Sequence, residues 1–168
     1  MESGVSLWAT VITLVTVGGC VVFHFEVISR LRRWSARRAE DGSVARRDRP
    51  TLLLVMFGLL AAHVAEIWVF GAAMWLLARL CEASALTGEV ITGSFLDYQY
   101  FSLANYTTVG WGDLTAEGPL RFLAGMESLI GFLLITWSAS FTFLVMDRMW
   151  ADRWQEEGGR EARRRDGA

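Results

Sequence analysis

The stretch "NYTTVGWGDLT", Asn105 to Thr115, sets two glycines, two adjacent threonines and an acid around a single Trp. It suits neither a regular helix nor a strand, and it lies between two long apolar runs. If those runs cross a membrane, irregular backbone between them is tolerated at membrane depth only where protein buries it or where it lines a watery cavity. The runs therefore have to be read first.

Val5 to Phe23 carries no charge, Thr51 to Ala78 is interrupted only by His63 and Glu66, and Phe122 to Met146 only by Glu127. Each reaches the roughly 20 residues needed to cross a ~30 Å hydrocarbon core. They are apolar on every side, whereas helices of a soluble core keep a polar face. The first run reads as a retained helix rather than a cleaved signal, because Glu2 stands where a basic segment belongs and the Arg residues follow the run. Two cysteines, Cys20 and Cys81, give neither a metal quartet nor a disulfide framework. The expectation is an all-α membrane protein with three transmembrane helices and one re-entrant segment. Its parts are an N-terminal helix (1–31), an Arg-rich loop (32–50), a core (51–147) and a tail (148–168).

Charge predicts the orientation. Residues 30–49 hold eight Arg against three acids, while residues 80–118 hold five acids and no Arg or Lys. The positive-inside rule then places the Arg-rich loop and the tail in the cytoplasm, with the N-terminus and residues 80–118 outside. Beside a span, such an Arg cluster fits anionic lipid headgroups and not nucleic acid. All 16 basic residues are Arg, which points to a prokaryotic, GC-rich source. The tail balances its charges and reads as a short helical extension, with Trp150 and Trp154 one turn apart, followed by a disordered end.

"GSFLDYQYFSLANY", Gly93 to Tyr106, is too short to span but long enough for a helix that enters the membrane and stops. Ser94 or Asp97 caps its start, where an acid also suits the helix dipole. "TTVGWGD" then returns as extended backbone. A dehydrated monovalent cation needs a ring of oxygens, and successive backbone carbonyls supply one if all turn inward. That geometry requires φ > 0 at alternate positions, which Gly110 and Gly112 adopt without a Cβ penalty. Thr108 adds a hydroxyl at the inner end, and Asp113 adds negative charge at the outer mouth.

At these residues the sequence resembles the potassium-channel superfamily, whose filter reads Thr-Val-Gly-Tyr-Gly-Asp after a short pore helix. Thr108, Val109, Gly110, Gly112 and Asp113 stand in those places, and Trp111 replaces the Tyr. The likeness covers roughly residues 52–146 and is greatest to small prokaryotic two-helix pore channels, with one helix added in front. It implies potassium held by the backbone carbonyls of Thr108, Val109, Gly110 and Trp111, no cofactor beyond the permeating ion, and a homotetramer in the cell membrane. Tyr100, Asn105, Thr107, Asp113 and Glu127 would support the filter, with Tyr100 and Phe101 aligning where some relatives carry Trp rings. By the family's register Gly131, Ile135, Ala139 and Phe143 would line the cavity and the inner constriction, Gly131 as a hinge and Phe143 as a gate.

Five ionisable residues fall inside spans: His24, Glu26, His63, Glu66 and Glu127. Such residues are functional candidates by default. His63 and Glu66 share a helix face and read as helix glue or as a pH-sensing pair. Within "HVAE" no third metal ligand converges in sequence. Glu127 is expected to brace the pore helix through Asn105, Ser102 or a Tyr. His24 and Glu26 are expected near the cytoplasmic end, in contact with water or headgroups. The reading is a passive, homotetrameric, potassium-selective channel. The alternatives are a weakly selective monovalent cation channel, or an accessory subunit that needs a partner. No nucleophile–base pair points to an enzyme.

Overall fold

The computed structural model describes residues 2–40, 44–81, 83–88 and 92–166; side chains are described for 7–37, 49–81, 83–88, 92–148, 150 and 151. Helix α1 spans Glu2–Glu40, α2 Val44–Leu80, α3 Phe95–Tyr106 and α4 Leu120–Asp166, with strands β1 (Ala85–Gly88) and β2 (Leu114–Glu117) on either side of α3 in sequence. Three of the helices contain stretches long and apolar enough to cross a membrane, within Leu7–Arg37, Arg49–Leu80 and Leu120–Arg148. They coincide with the three apolar runs. The chain is an all-α membrane protein with three membrane-spanning helices.

The long helices overrun the spans. At 1.5 Å per residue a 39-residue helix is about 58 Å long, well beyond the hydrocarbon core. Much of the Arg-rich stretch expected as a loop is therefore helix, up to Glu40 and again from Val44, with Pro50 inside α2. The tail expected to end in disorder continues α4 as far as Asp166. Trp154 lies outside the residues whose side chains are described.

Two compact units divide the chain. The first comprises residues 1–25 and 61–136. Its core joins Ala9 and Cys20 of α1, Ile67, Phe70, Met74 and Leu77 of α2, Tyr98, Phe101 and Tyr106 of α3, and Leu120, Leu123 and Ala124 of α4. The second comprises residues 26–60 and 137–168, with Ile28, Val55, Leu59, Phe141 and Val145 packed together.

In the first unit the short strands pair antiparallel, Ala85 opposite Glu117 through Gly88 opposite Leu114. This ribbon was absent from the sequence reading. Gly88 allows it to close, because a Cβ there would lie 2.4 Å from the Asp113 carbonyl oxygen. The ribbon ties the chain entering α3 to the chain leaving the "TVGWGD" segment.

Candidate functional site

Helix α3 begins with a full capping box. The Ser94 hydroxyl accepts from the Asp97 N–H, and the Asp97 carboxylate accepts from the Ser94 N–H at 3.0 Å. Ser94 and Asp97 thus share the cap, where the sequence left a choice. Asp97 also accepts from the Thr92 N–H and hydroxyl at 3.0 and 2.9 Å. Desolvation is the largest single effect and opposes ionisation, yet the hydrogen bonds from Thr92 and Ser94 together outweigh it and hold the carboxyl below its ordinary value.

At the other end of α3 the chain turns back on the helix. The Thr107 N–H donates to the Leu103 carbonyl, the Thr108 N–H to Asn105 at 2.9 Å and the Gly110 N–H to Ala104 at 3.1 Å. Asn105 Nδ2 donates to the Phe101 carbonyl at 2.9 Å and Thr107 Oγ1 to the Leu103 carbonyl at 2.7 Å. Both side chains thereby fasten the helix end to itself. The Leu103, Ala104 and Asn105 carbonyls, which the end of α3 would leave unpaired, are taken by the segment they precede. The backbone then alternates: φ is 59° at Thr108, 53° at Gly110 and 79° at Gly112. The two glycines adopt the left-handed conformation expected of them. Thr108 does too, and for a β-branched residue that is a strained position of the kind found at functional sites.

Beyond Gly112, the Tyr100 hydroxyl donates to Asp113 Oδ2 at 2.9 Å. This bond, with a smaller effect of burial and the Asp113 charge, holds the Tyr100 phenol above its ordinary value, so it stays a donor. Val109 and Trp111 are exposed, Trp111 at 69%. Trp111 makes no hydrogen bond or ring contact to another described residue of its own chain.

Below the segment sits a buried polar cluster. Tyr106, the last residue of α3, donates its hydroxyl to Glu66 Oε2. Its oxygen meets His63 Nδ1 at 2.8 Å. Glu66 Oε1 meets His24 Nδ1 at 2.9 Å, and His63 Nδ1 lies 3.3 Å from Glu66 Oε2. Because Tyr106 donates to Glu66, it accepts from His63, which fixes a proton on that Nδ1. A second polar contact braces the helix from its side. The Ser102 hydroxyl reaches both the Ile67 carbonyl, at 2.8 Å, and Glu127 Oε1. Of the three partners open to Glu127, the structure selects Ser102.

A family model described as "Ion channel" matches residues 51–148, more than half of the chain. The chain belongs to the ion-channel family. That family is one of channels and not of enzymes, and the match covers α2 from Thr51 onward, α3, the "TVGWGD" segment and the span within α4. No curated protein and no solved structure matches the channel chain.

Two expectations for the channel change. His24 does not meet water or headgroups; it is fully buried against Glu66, and the expected pair His63–Glu66 is part of a four-residue cluster. Glu26 does stay at the surface, accepting from Arg30 Nε at 3.0 Å and Arg33 at 3.4 Å. Gly131 does not share the surroundings of Ile135, Ala139 and Phe143, which are exposed in the protomer. It is buried on α3, where a Cβ would lie 2.2 Å from the Tyr106 carbonyl oxygen. The reason is geometric: steps of four drift by about 40° each on a 3.6-residue helix, so a strict four-residue repeat does not hold one face.

The sequence did not point to Tyr106 as the partner of Glu66 and His63, nor to Gln99 at all. Gln99 is buried, donates to the Trp68 carbonyl at 3.3 Å, and occupies space that a Cβ on Gly71 would fill. Gly71 in the apolar run of α2 and Gln99 in α3 were the available signals.

Proposed function

We propose that the chain is the subunit of a passive, potassium-selective, homotetrameric channel of a prokaryotic cell membrane, conducting through the carbonyls of Thr108, Val109, Gly110 and Trp111. The observation that carries this reading is the alternation of left-handed backbone at Thr108, Gly110 and Gly112, directly after a helix whose C-terminus ends at Tyr106. Alternation of hand turns successive carbonyls toward one side, and a row of such oxygens replaces the hydration shell of a monovalent cation. The α3 dipole adds partial negative charge at its C-terminal end, which favours a cation there. One chain supplies one row, so a closed ring of ligands needs several copies about a symmetry axis. Membership of the ion-channel family supports the transport class. The orientation that follows from the charges has residues 80–118 and the filter mouth outside and the Arg-rich segment against anionic lipid on the cytoplasmic side.

The test is ion flux through purified protein in liposomes, with potassium and sodium gradients applied in turn. Potassium flux well above sodium flux, without any added partner, is the expected result. Equal fluxes would make it a weakly selective cation channel, and no flux until a second protein is added would make it an accessory subunit.

A further inference from the structure

The chain has two histidines, and both are in the cluster below the filter segment. One ligand atom each from His24, His63 and Glu66 lies within 4.8 Å of the others. The three come from two helices, His24 from α1 and His63 and Glu66 from α2, one turn apart on one face. Tyr106 of α3 adds a phenol oxygen at 2.8 Å from His63 Nδ1. His24, Glu66 and Tyr106 are buried, while the His63 side chain retains 15% exposure and is the most open member.

We propose that His24, His63 and Glu66, with the Tyr106 oxygen as a fourth ligand, form a binding site for a divalent transition-metal ion of the zinc class, which restrains the pore-helix end leading into the filter.

Two imidazoles and a carboxylate are a zinc donor set, and the Tyr106 oxygen stands beside them where it would take the fourth position that such three-ligand sites otherwise leave to water. Zinc–ligand bonds of about 2.0–2.1 Å at tetrahedral angles separate ligand atoms by about 3.3–3.4 Å. The present separations are 2.9 Å from His24 Nδ1 to Glu66 Oε1 and 3.3 Å from His63 Nδ1 to Glu66 Oε2, and one ligand atom from each residue lies within 4.8 Å of the others, so the side chains would have to draw in on the order of 1 Å to reach that value. On binding, each imidazole would ligate as the neutral ring, with Nδ1 free of its proton and Nε2 carrying one, and the proton that Tyr106 now donates to Glu66 would leave to solvent. Tyr106 then matters for consequence. Its side chain would be held by the ion, its carbonyl abuts Gly131, and the next residues are Thr107 and Thr108. A bound ion would thus fix the start of the filter segment to α1 and α2, beside the packing of the Tyr106 carbonyl on Gly131 of α4. The binding claim goes beyond the conduction reading and does not depend on it, since it is read without a flux measurement.

The experiment uses the full chain, purified through a histidine-free tag from medium containing Zn²⁺, then washed with a chelator that strips surface sites. Retention of one Zn²⁺ per chain is expected, with X-ray absorption showing two imidazole ligands. His24→Gln and Glu66→Gln, checked for unchanged oligomeric elution, should each weaken Zn²⁺ by more than about 100-fold, beyond what loss of an outer-shell partner does. The Co²⁺-loaded protein should show the visible bands of a tetrahedral site, lost in both variants. Should the variants fail to assemble, ¹⁵N-histidine spectra of the parent with and without Zn²⁺ decide, and both resonances must shift. Retention equal to that of a chain with both histidines replaced, absorption data without imidazole, or unmoved histidine resonances each overturn the proposal. The cluster would then be a hydrogen-bonded brace alone.

Discussion

At Gly110, a φ of 53° with no atom within 4 Å of a Cβ position separates two causes that a glycine substitution usually mixes. Gly110→Ala meets no obstacle in its own chain, so its cost is conformational, about 1–2 kcal/mol for an L-residue held left-handed. The expected outcome is a channel that assembles but loses discrimination, seen as a shift of reversal potential under opposed potassium and sodium gradients. An unchanged permeability ratio would count against the carbonyl row. Thr108 shows that the strain is tolerated once in this segment, at a site whose N–H is tied to Asn105. Trp111 poses the opposite case. Its ring is 69% exposed and makes no hydrogen bond or ring contact to another described residue of its own chain, so in the proposed ring of chains a neighbouring copy would supply its packing. Trp111→Ala should leave helix content and protomer melting unchanged while lowering the temperature at which the oligomer dissociates, and Trp111→Tyr should restore most of that loss. Equal dissociation temperatures for parent and Trp111→Ala would rule out an aromatic collar between copies.

Among the elements, α3 depends on its two ends. Ser94→Ala removes the cap and should cost about 0.5–2 kcal/mol. Asp97 adds a pH dependence whose sign follows from its direction. Its carboxyl is held below its ordinary value in the folded chain, so its contribution is fully present above the unfolded value of about 3.9 and is lost as pH falls through the lower folded value. Melting followed down through the acid range should therefore fall less steeply for Asp97→Asn than for the parent. Two glycines of α4 give a paired test of its packing. A Cβ at Gly131 would collide with the Tyr106 carbonyl, whereas at Gly125 it would meet nothing within 4 Å. Gly131→Ala should destabilise by about 1–3 kcal/mol, as overpacking does. Gly125→Ala should be neutral or stabilise by up to about 1 kcal/mol. A similar loss at both would deny Gly131 its special contact. The spans and α3 were legible in the sequence because hydropathy and capping chemistry act over a single turn or span. The β1–β2 ribbon was not, since Gly88 and Leu114 pair across α3 and neither strand exceeds four residues. His24 was not legible for the same reason. Its partner Glu66 is 42 residues away on another helix, and only packing brings them together.

For the whole molecule, the number of chains around the filter decides whether the proposed chemistry can occur at all. The protomer leaves Val109 and Trp111 exposed on the segment that is proposed to hold ions, and one row of carbonyls cannot enclose a cation. In the proposed ring, closed symmetry would supply the missing rows and make each chain a necessary part of its pore. Mixing chains measures that number without a structure of the assembly. Parent chains are refolded together with an equal amount of chains carrying Gly110→Ala, which first has to be shown to lose selectivity alone. Random assembly into fourfold rings makes about one ring in sixteen wholly parental. Potassium-selective flux should fall to about that fraction if one altered chain spoils a ring. A fall to about one half would mean that each chain conducts alone, and about one quarter would mean that the pore is built of two chains. Either result would defeat the tetrameric filter while leaving membership of the ion-channel family intact, because the family match concerns the chain and the mixing experiment concerns the ring.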